Sequence, residues 1–211
     1  MNTLSPATVW GEMVAGNQRF IDGAPLHPRQ DVERRAELAQ SQTPRAALFG
    51  CSDSRLSAEI IFDLGLGDLF VVRNAGQVIS SSVLGSLEYA VEAFDIPLIL
   101  VLAHDNCGAV GAAIRKDADP STLFPPHVDA IVADILPAVA RTRDAAGAVQ
   151  GAEVDGAQVG LEHLRDTISG LLAQSELIGQ RIADGKLAIV GANYRLSEGR
   201  VISDVVVGDI S

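Results

Sequence analysis

The strongest constraint on the fold is an alternation. Short apolar runs bounded by turn residues recur at 46–49, 69–72, 98–102, 187–190 and 201–207, each with the Leu or β-branched content of a buried strand. Between them, apolar residues return every three or four positions: Val83, Leu87, Ala90, Val91 and Phe94; Val128, Ile131, Val132, Ile135 and Val139; Leu161, Leu164, Ile168 and Leu171. Strands alternating with amphipathic helices predict an α/β fold whose sheet is mostly parallel and flanked by helices. The expected strand order is 2-1-3-4, with the last two runs joined by a hairpin at 196–199 and the final strand antiparallel at an edge. Pro137 falls inside the middle helical pattern and is expected to kink or end it. Residues 1–40 read as an N-terminal helical arm, with segments around 6–20 and 31–40 separated by GAPLHP; such an arm often serves a dimer.

Composition narrows the function classes. With 211 residues, 47% of them hydrophobic, the chain can bury roughly 70% of its unfolded surface as one domain, 1–211. Sixteen basic residues against 27 acidic ones leave a net charge of −11, so the basic face that a nucleic-acid partner or an anionic membrane surface requires is not expected. The longest apolar run, 96–103, includes Pro97 and falls far short of the roughly 20 residues that span a bilayer. The opening MNTLSPATVW lacks a basic segment followed by an apolar one, so a cytoplasmic location is expected. Two cysteines make no disulfide framework; in a reducing compartment such a pair binds metal, reacts or is simply buried. The Ala- and Gly-rich stretch 145–160 suits a loop and a helix start.

The chemistry concentrates in two turns. Directly after the first strand comes GCSDSRL, with Cys51, Asp53 and Arg55 expected in the turn that leads to a helix beginning near Ser57. Directly after the third comes AHDNCGAVGAAI, with His104 and Cys107 in the equivalent turn. In a doubly wound sheet these strands are neighbours and their carboxyl ends form the crevice where ligands bind. Two thiolates and an imidazole suit zinc, and three protein ligands leave a tetrahedral ion one open position, the mark of a catalytic site. Two thiolates also cancel the 2+ charge, so help from surrounding groups is expected. Asp53 could orient a nucleophile beside the metal while Arg55, through a bidentate contact, keeps the carboxylate ionised and off the ion.

Each motif alone has an ordinary reading. Cys51 and Cys107 also suit buried thiols, Asp53 a turn, Arg55 a solvated helix-start charge, and Ser52 or Ser54 a cap. Joint placement after two adjacent strands favours the metal reading. His27, His127 and His163 have no such neighbours in sequence and read as structural or surface residues. Gly179, Gly185 and Lys186 approach a phosphate loop, but five residues separate the glycines where four are required, and Leu187 stands where Ser or Thr should be.

Cys51-Ser52-Asp53-Ser54-Arg55 and His104-Asp105-Asn106-Cys107-Gly108 resemble the paired C-x-D-x-R and H-x-x-C-G signatures of the β-class carbonic anhydrases. The resemblance extends through AGNQRF, EIIFDLGLGDLFVVRNAG, VLGSLEYAV and LAIVGANYRLSEGRV, nearly the whole chain. It implies reversible hydration of carbon dioxide to bicarbonate and a proton by attack of zinc hydroxide, with Zn2+ held by Cys51, His104 and Cys107. Asp53 and Arg55 become the orienting dyad, and Asp53 a possible fourth ligand in a closed state. The substrate pocket is implied to include Gln42, Phe70, Tyr89 and Gly108. A homodimer or larger homo-oligomer, with sites near the interface, is also implied. Gln42 matches the open subclass, Leu48 stands where a bicarbonate-regulated member carries Trp, and Arg73 fits either; Ala103 and Ala75 depart modestly from the pattern.

Two other functions compete. A hydrolase of the same fold acting on carbonyl sulfide or carbon disulfide would use similar chemistry, since fold and ligands alone do not fix the substrate. A non-catalytic zinc or redox binding protein would instead hold a closed site with Asp53 on the metal.

Overall fold

A computed structural model describes residues 4–147 and 154–210. The middle of the 145–160 stretch and the first three residues of the chain lie outside the described residues. Five strands, β1 (Ala46–Cys51), β2 (Leu69–Asn74), β3 (Leu98–His104), β4 (Ala188–Arg195) and β5 (Arg200–Val207), form one sheet in the order β2-β1-β3-β4-β5. The first four run parallel and β5 pairs antiparallel with β4 across the 196–199 turn.

The helices are α1 (Pro6–Ile21), α2 (Val32–Leu38), α3 (Ala58–Ile61), α4 (Ser81–Phe94), α5 (Gly108–Ala118), α6 (Pro126–Ala145), α7 (Gly156–Gln174) and α8 (Glu176–Ala183). They cover both faces of the sheet, which is why every residue of β1 and β3 is buried. Alternate strand residues divide between two cores. Leu48, Leu100, Leu102 and Val190 pack under α1, α3, α5 and α6, through Val9, Met13, Ile61, Val110 and Ile135. Phe49, Ile99, Val101 and Ile189 pack under α4, α7 and α8, through Leu87, Leu164, Ile168, Leu171 and Ile178. Each large side chain so buried contributes about 1.5–3 kcal/mol. Among the described residues no helix is long and apolar enough to cross a membrane.

Two details differ from the expectations. Both strands that lead to the motifs run further: Cys51 and His104 are the last residues of β1 and β3, paired with Asn74 and Tyr194, and not members of the turns. Pro137 neither ends nor divides α6. Its ring lies on the exposed side, and Ala133, whose carbonyl loses its helical donor, is exposed and open to water. Within the N-terminal segment the two helices are held differently. Asn17 of α1, 4% exposed, donates to the Ile61 and Gly199 carbonyls and accepts from the Val201 N–H, while the Cα of Gly16 comes so close to Phe62 that a Cβ would overlap its carbonyl oxygen. α1 is thus fixed to its own sheet, whereas α2 has no buried residue.

Candidate metal centre

Parallel pairing of β1 with β3 sets Gly50 beside Leu102 and so brings the two carboxyl ends together. Cys51 ends one strand and His104 the other. A tight turn through Asp105 and Asn106, the latter at φ 52, a conformation Asn tolerates, returns Cys107 as the N-cap of α5. The Sγ atoms of Cys51 and Cys107 and a ring nitrogen of His104 all lie within 4.8 Å of one another, and all three residues are buried. Tetrahedral zinc at about 2.0–2.3 Å from its ligands separates them by about 3.3–3.8 Å, a closure within side-chain motion.

His104 supplies an independent test of fit. Its Nδ1 lies 2.8 Å from the Asp105 carbonyl oxygen. A carbonyl only accepts, so Nδ1 carries the hydrogen and Nε2 presents a lone pair. That Nε2 is buried and has no hydrogen-bond partner. An orphaned acceptor between two thiols is what a soft divalent cation would satisfy. The Asp105 side chain braces the turn by accepting the Leu196 N–H at 2.9 Å.

Asp53 stands beside this set, with Oδ2 3.9 Å from His104 Nε2. Arg55 grips the carboxylate with a fork: Nε donates to Oδ1 at 2.8 Å and Nη2 to Oδ2 at 2.7 Å, while the Arg55 main-chain N–H also donates to Oδ1 at 3.0 Å. These bonds hold the Asp53 carboxyl well below the usual carboxylate range, against the opposing effect of burial. Arg73 fixes the backbone underneath, donating from Nε to the Cys51 carbonyl at 2.9 Å and from Nη2 to the Asp53 carbonyl at 2.6 Å.

The two thiols are unequal. Contact with Cys107, then with His104 and the Gly76 N–H, pulls the Cys51 pKa down, whereas contact with Cys51 and burial push Cys107 up. Burial works against a charged His104 ring, but the Cys51 sulfur outweighs it and raises the pKa.

The remaining candidates divide. Gly108 opens α5 directly after Cys107, with open space where a side chain would be. Gln42, Phe70 and Tyr89 gather at the other end of β1. Phe70 pairs with Ala47, four residues before Cys51 and about 13 Å along the strand. Its ring lies 6.2 Å from Tyr89 and 5.9 Å from Phe94. Gln42 lines a cavity of about 960 Å³ with Arg45, Phe94 and Arg181. One chain does not bring these three residues to Cys51. His27 and His127 are exposed, but His163 is buried and bonded to Gly76. Sequence reasoning missed Asp105, Gly76 and His163 and gave Arg73 no role, because their partners lie far along the chain or on the backbone.

At the carboxyl ends of adjacent strands the α/β sheet thus presents a Cys-His-Cys set that could hold a metal beside an Asp–Arg fork, the arrangement of an enzyme site. A family model described as carbonic anhydrase matches residues 46–201. Carbonic anhydrase 2 of Mycobacterium tuberculosis is 46% identical over 211 residues, covering 100% of this chain and 98% of its own. The carbonic anhydrase of Mycolicibacterium smegmatis is 45% identical over 210 residues, again covering 100% and 98%. Among solved structures the β-carbonic anhydrase CcaA superposes with a TM-score of 0.73 at 26% identity, covering 96% of this chain and 92% of that one. The chain belongs to the carbonic anhydrase family of enzymes, in its β class.

Proposed function

We propose that the chain catalyses reversible hydration of carbon dioxide to bicarbonate and a proton, with zinc held by Cys51, His104 and Cys107. The observation that carries this reading is the buried, unpartnered Nε2 of His104 between two thiols and 3.9 Å from a forked carboxylate. Zinc, when bound, supplies a Lewis acid that makes water nucleophilic near neutral pH. Asp53 is the orienting acceptor: ionised, it can only accept a hydrogen bond, and so turns a hydroxyl donor's lone pairs toward the substrate. Arg55 is its positioning partner, and its fork would keep the carboxylate off the metal. Burial of the three ligands excludes bulk water from one side, and the released proton passes to buffer.

Gln42, Phe70, Tyr89 and Gly108 form the substrate pocket in this reading, the first three completing the site of a second copy. That arrangement needs a homodimer or larger homo-oligomer; the proposal also takes the chain as a single 1–211 domain working in the cytoplasm. Stopped-flow carbon dioxide hydration, with zinc measured in the same sample, tests the proposal. Fast turnover at one zinc per chain is expected. Dominant sulfide release from carbonyl sulfide or carbon disulfide would move the assignment to that hydrolase, and zinc with neither activity to a closed binding site.

A further inference from the structure

The Cys51 sulfur receives a hydrogen bond whose donor is held from the far side by a buried histidine. After β2 the chain makes a single 3-10 turn, Ala75–Gln77, and the Gly76 N–H points to Cys51 Sγ at an N···S distance of 3.4 Å. Gly76 has φ 74, and a Cβ there would lie 2.8 Å from that of Ala109 and 3.1 Å from Ile135 Cδ1. Gln77 follows with φ 42, so two successive residues occupy the left-handed region, one of them without glycine's freedom. Such a turn persists only where its surroundings fix it.

α7 does the fixing. His163, 3% exposed, places Nε2 2.7 Å from the Gly76 carbonyl oxygen. The acceptor is a carbonyl, so Nε2 carries the hydrogen. One turn on, Thr167 Oγ1 lies 3.3 Å from the Gln77 carbonyl and 2.9 Å from that of His163. His163 Nδ1 is buried with no hydrogen-bond partner, a cost that an apolar side chain of similar volume would avoid. A histidine kept purely for packing would have no reason to take as its acceptor the residue whose N–H reaches a metal-binding sulfur.

We infer that His163 is a positioning residue for the metal centre: by holding the Gly76 carbonyl it aims the Gly76 N–H at Cys51 and draws negative charge from that sulfur. This inference rests on Cys51, His104 and Cys107 being the metal ligands. Two thiolates neutralise a divalent ion, so a hydrogen bond to one of them leaves the metal more electron-poor, and also holds the sulfur in the direction of the site. The link from α7 to the sulfur passes through one residue, Gly76, whose carbonyl meets His163 and whose N–H meets Cys51.

The test uses His163→Leu, His163→Gln and His163→Asn, with Ile168→Val as a packing control on the same helix. Metal-free proteins are titrated with zinc against a chelating dye, and the cobalt(II) forms are read by their sulfur-to-metal charge-transfer band. The Leu variant should bind zinc about 10- to 100-fold more weakly and shift the band. Gln, whose amide nitrogen reaches the place of Nε2, should recover most of the affinity and the native band. Asn ends short of Gly76 and should behave like Leu, deciding the matter if Leu does not fold. The control should lose some thermal stability and keep both readouts. Native affinity and an unshifted band in folded Leu and Asn variants would overturn the role of His163. Failure of the unaltered protein to bind one zinc per chain would instead overturn the ligand assignment.

Discussion

The two ends of β1 differ in kind. At the carboxyl end, Cys51 is buried, its carbonyl is taken by Arg73, its sulfur by Gly76, and Asp53 two residues on is gripped at both oxygens. At the amino end, Gln42 lines an open cavity, Tyr89 is 56% exposed and Val71 on the outer strand is 38% exposed. One end is finished within the chain, while the other offers polar and aromatic groups with their outer faces free. A site built only from the first end would have its ligands but no organised wall for an apolar substrate. The contrast gives a physical reason for expecting the second copy to matter: it would bring the unfinished end of one chain to the finished end of another.

The largest effects should come from the finished end. Cys107→Ser removes one of the three proposed ligands and should take zinc to background by elemental analysis, with hydration lost alongside. Asp53→Ala and Arg55→Ala leave the ligands in place. Each should retain near-stoichiometric zinc yet lose about 100-fold in hydration rate, on the scale of outer-shell partners. Native turnover in either would show that the fork is merely structural, and loss of zinc in both would make it part of the binding set.

Mixing tests the comparison itself. Cys107→Ser chains have an intact amino end, and Gln42→Ala chains an intact metal end. Unfolded and refolded together in equal amounts, half of the resulting dimers are hybrids with one complete site, so about one quarter of native activity should reappear. Activity equal to the average of the two separate variants would mean that each chain uses its own Gln42 or does not use it at all.

How much of this was legible in the sequence follows from contact distance. The strand and helix alternation could be read because burial on both faces forces apolar runs and periodic stripes. Asp53 and Arg55 could be read because their contact spans two residues. The boundaries were harder: Cys51 and His104 end the apolar runs chemically, yet the ladder continues through them to Asn74 and Tyr194. Pro137 suggested a kink or an end, and the helix does not end there because the ring faces solvent, which sequence does not show. Arg73 and Gly76 reach Cys51 across 22 and 25 residues and His163 reaches Gly76 across 87, and only the sheet order and the path of α7 bring them there. The sequence reading grouped Gln42, Phe70 and Tyr89 with Cys51 through family resemblance alone, and strand register separates them within one chain.

The smallest effect probes what holds the less finished end in shape. Asp63, with 1% of its side chain exposed, accepts the Leu26 and His27 N–H groups and the Arg19 Nε, which lies 2.6 Å away, so that it fastens the loop between α1 and α2. Burial disfavours its charge, but the two backbone donors and Arg19 prevail and lower its pKa from 3.8. A carboxylate with a depressed folded pKa contributes stability that is fully present above the unfolded value and is lost as pH falls through the folded one. Asp63→Asn keeps the shape and tolerates the residue's φ of 47, but puts an amide donor where only acceptors fit. In urea unfolding at pH 7 it should be less stable by about 1–3 kcal/mol. The gap should hold down to about pH 4 and narrow below it, because the unfolded carboxyl takes up its proton before the folded one does. A gap as large in acid as at pH 7 would assign the loss to altered packing, and leave the charge of Asp63 without a part in holding the loop between α1 and α2.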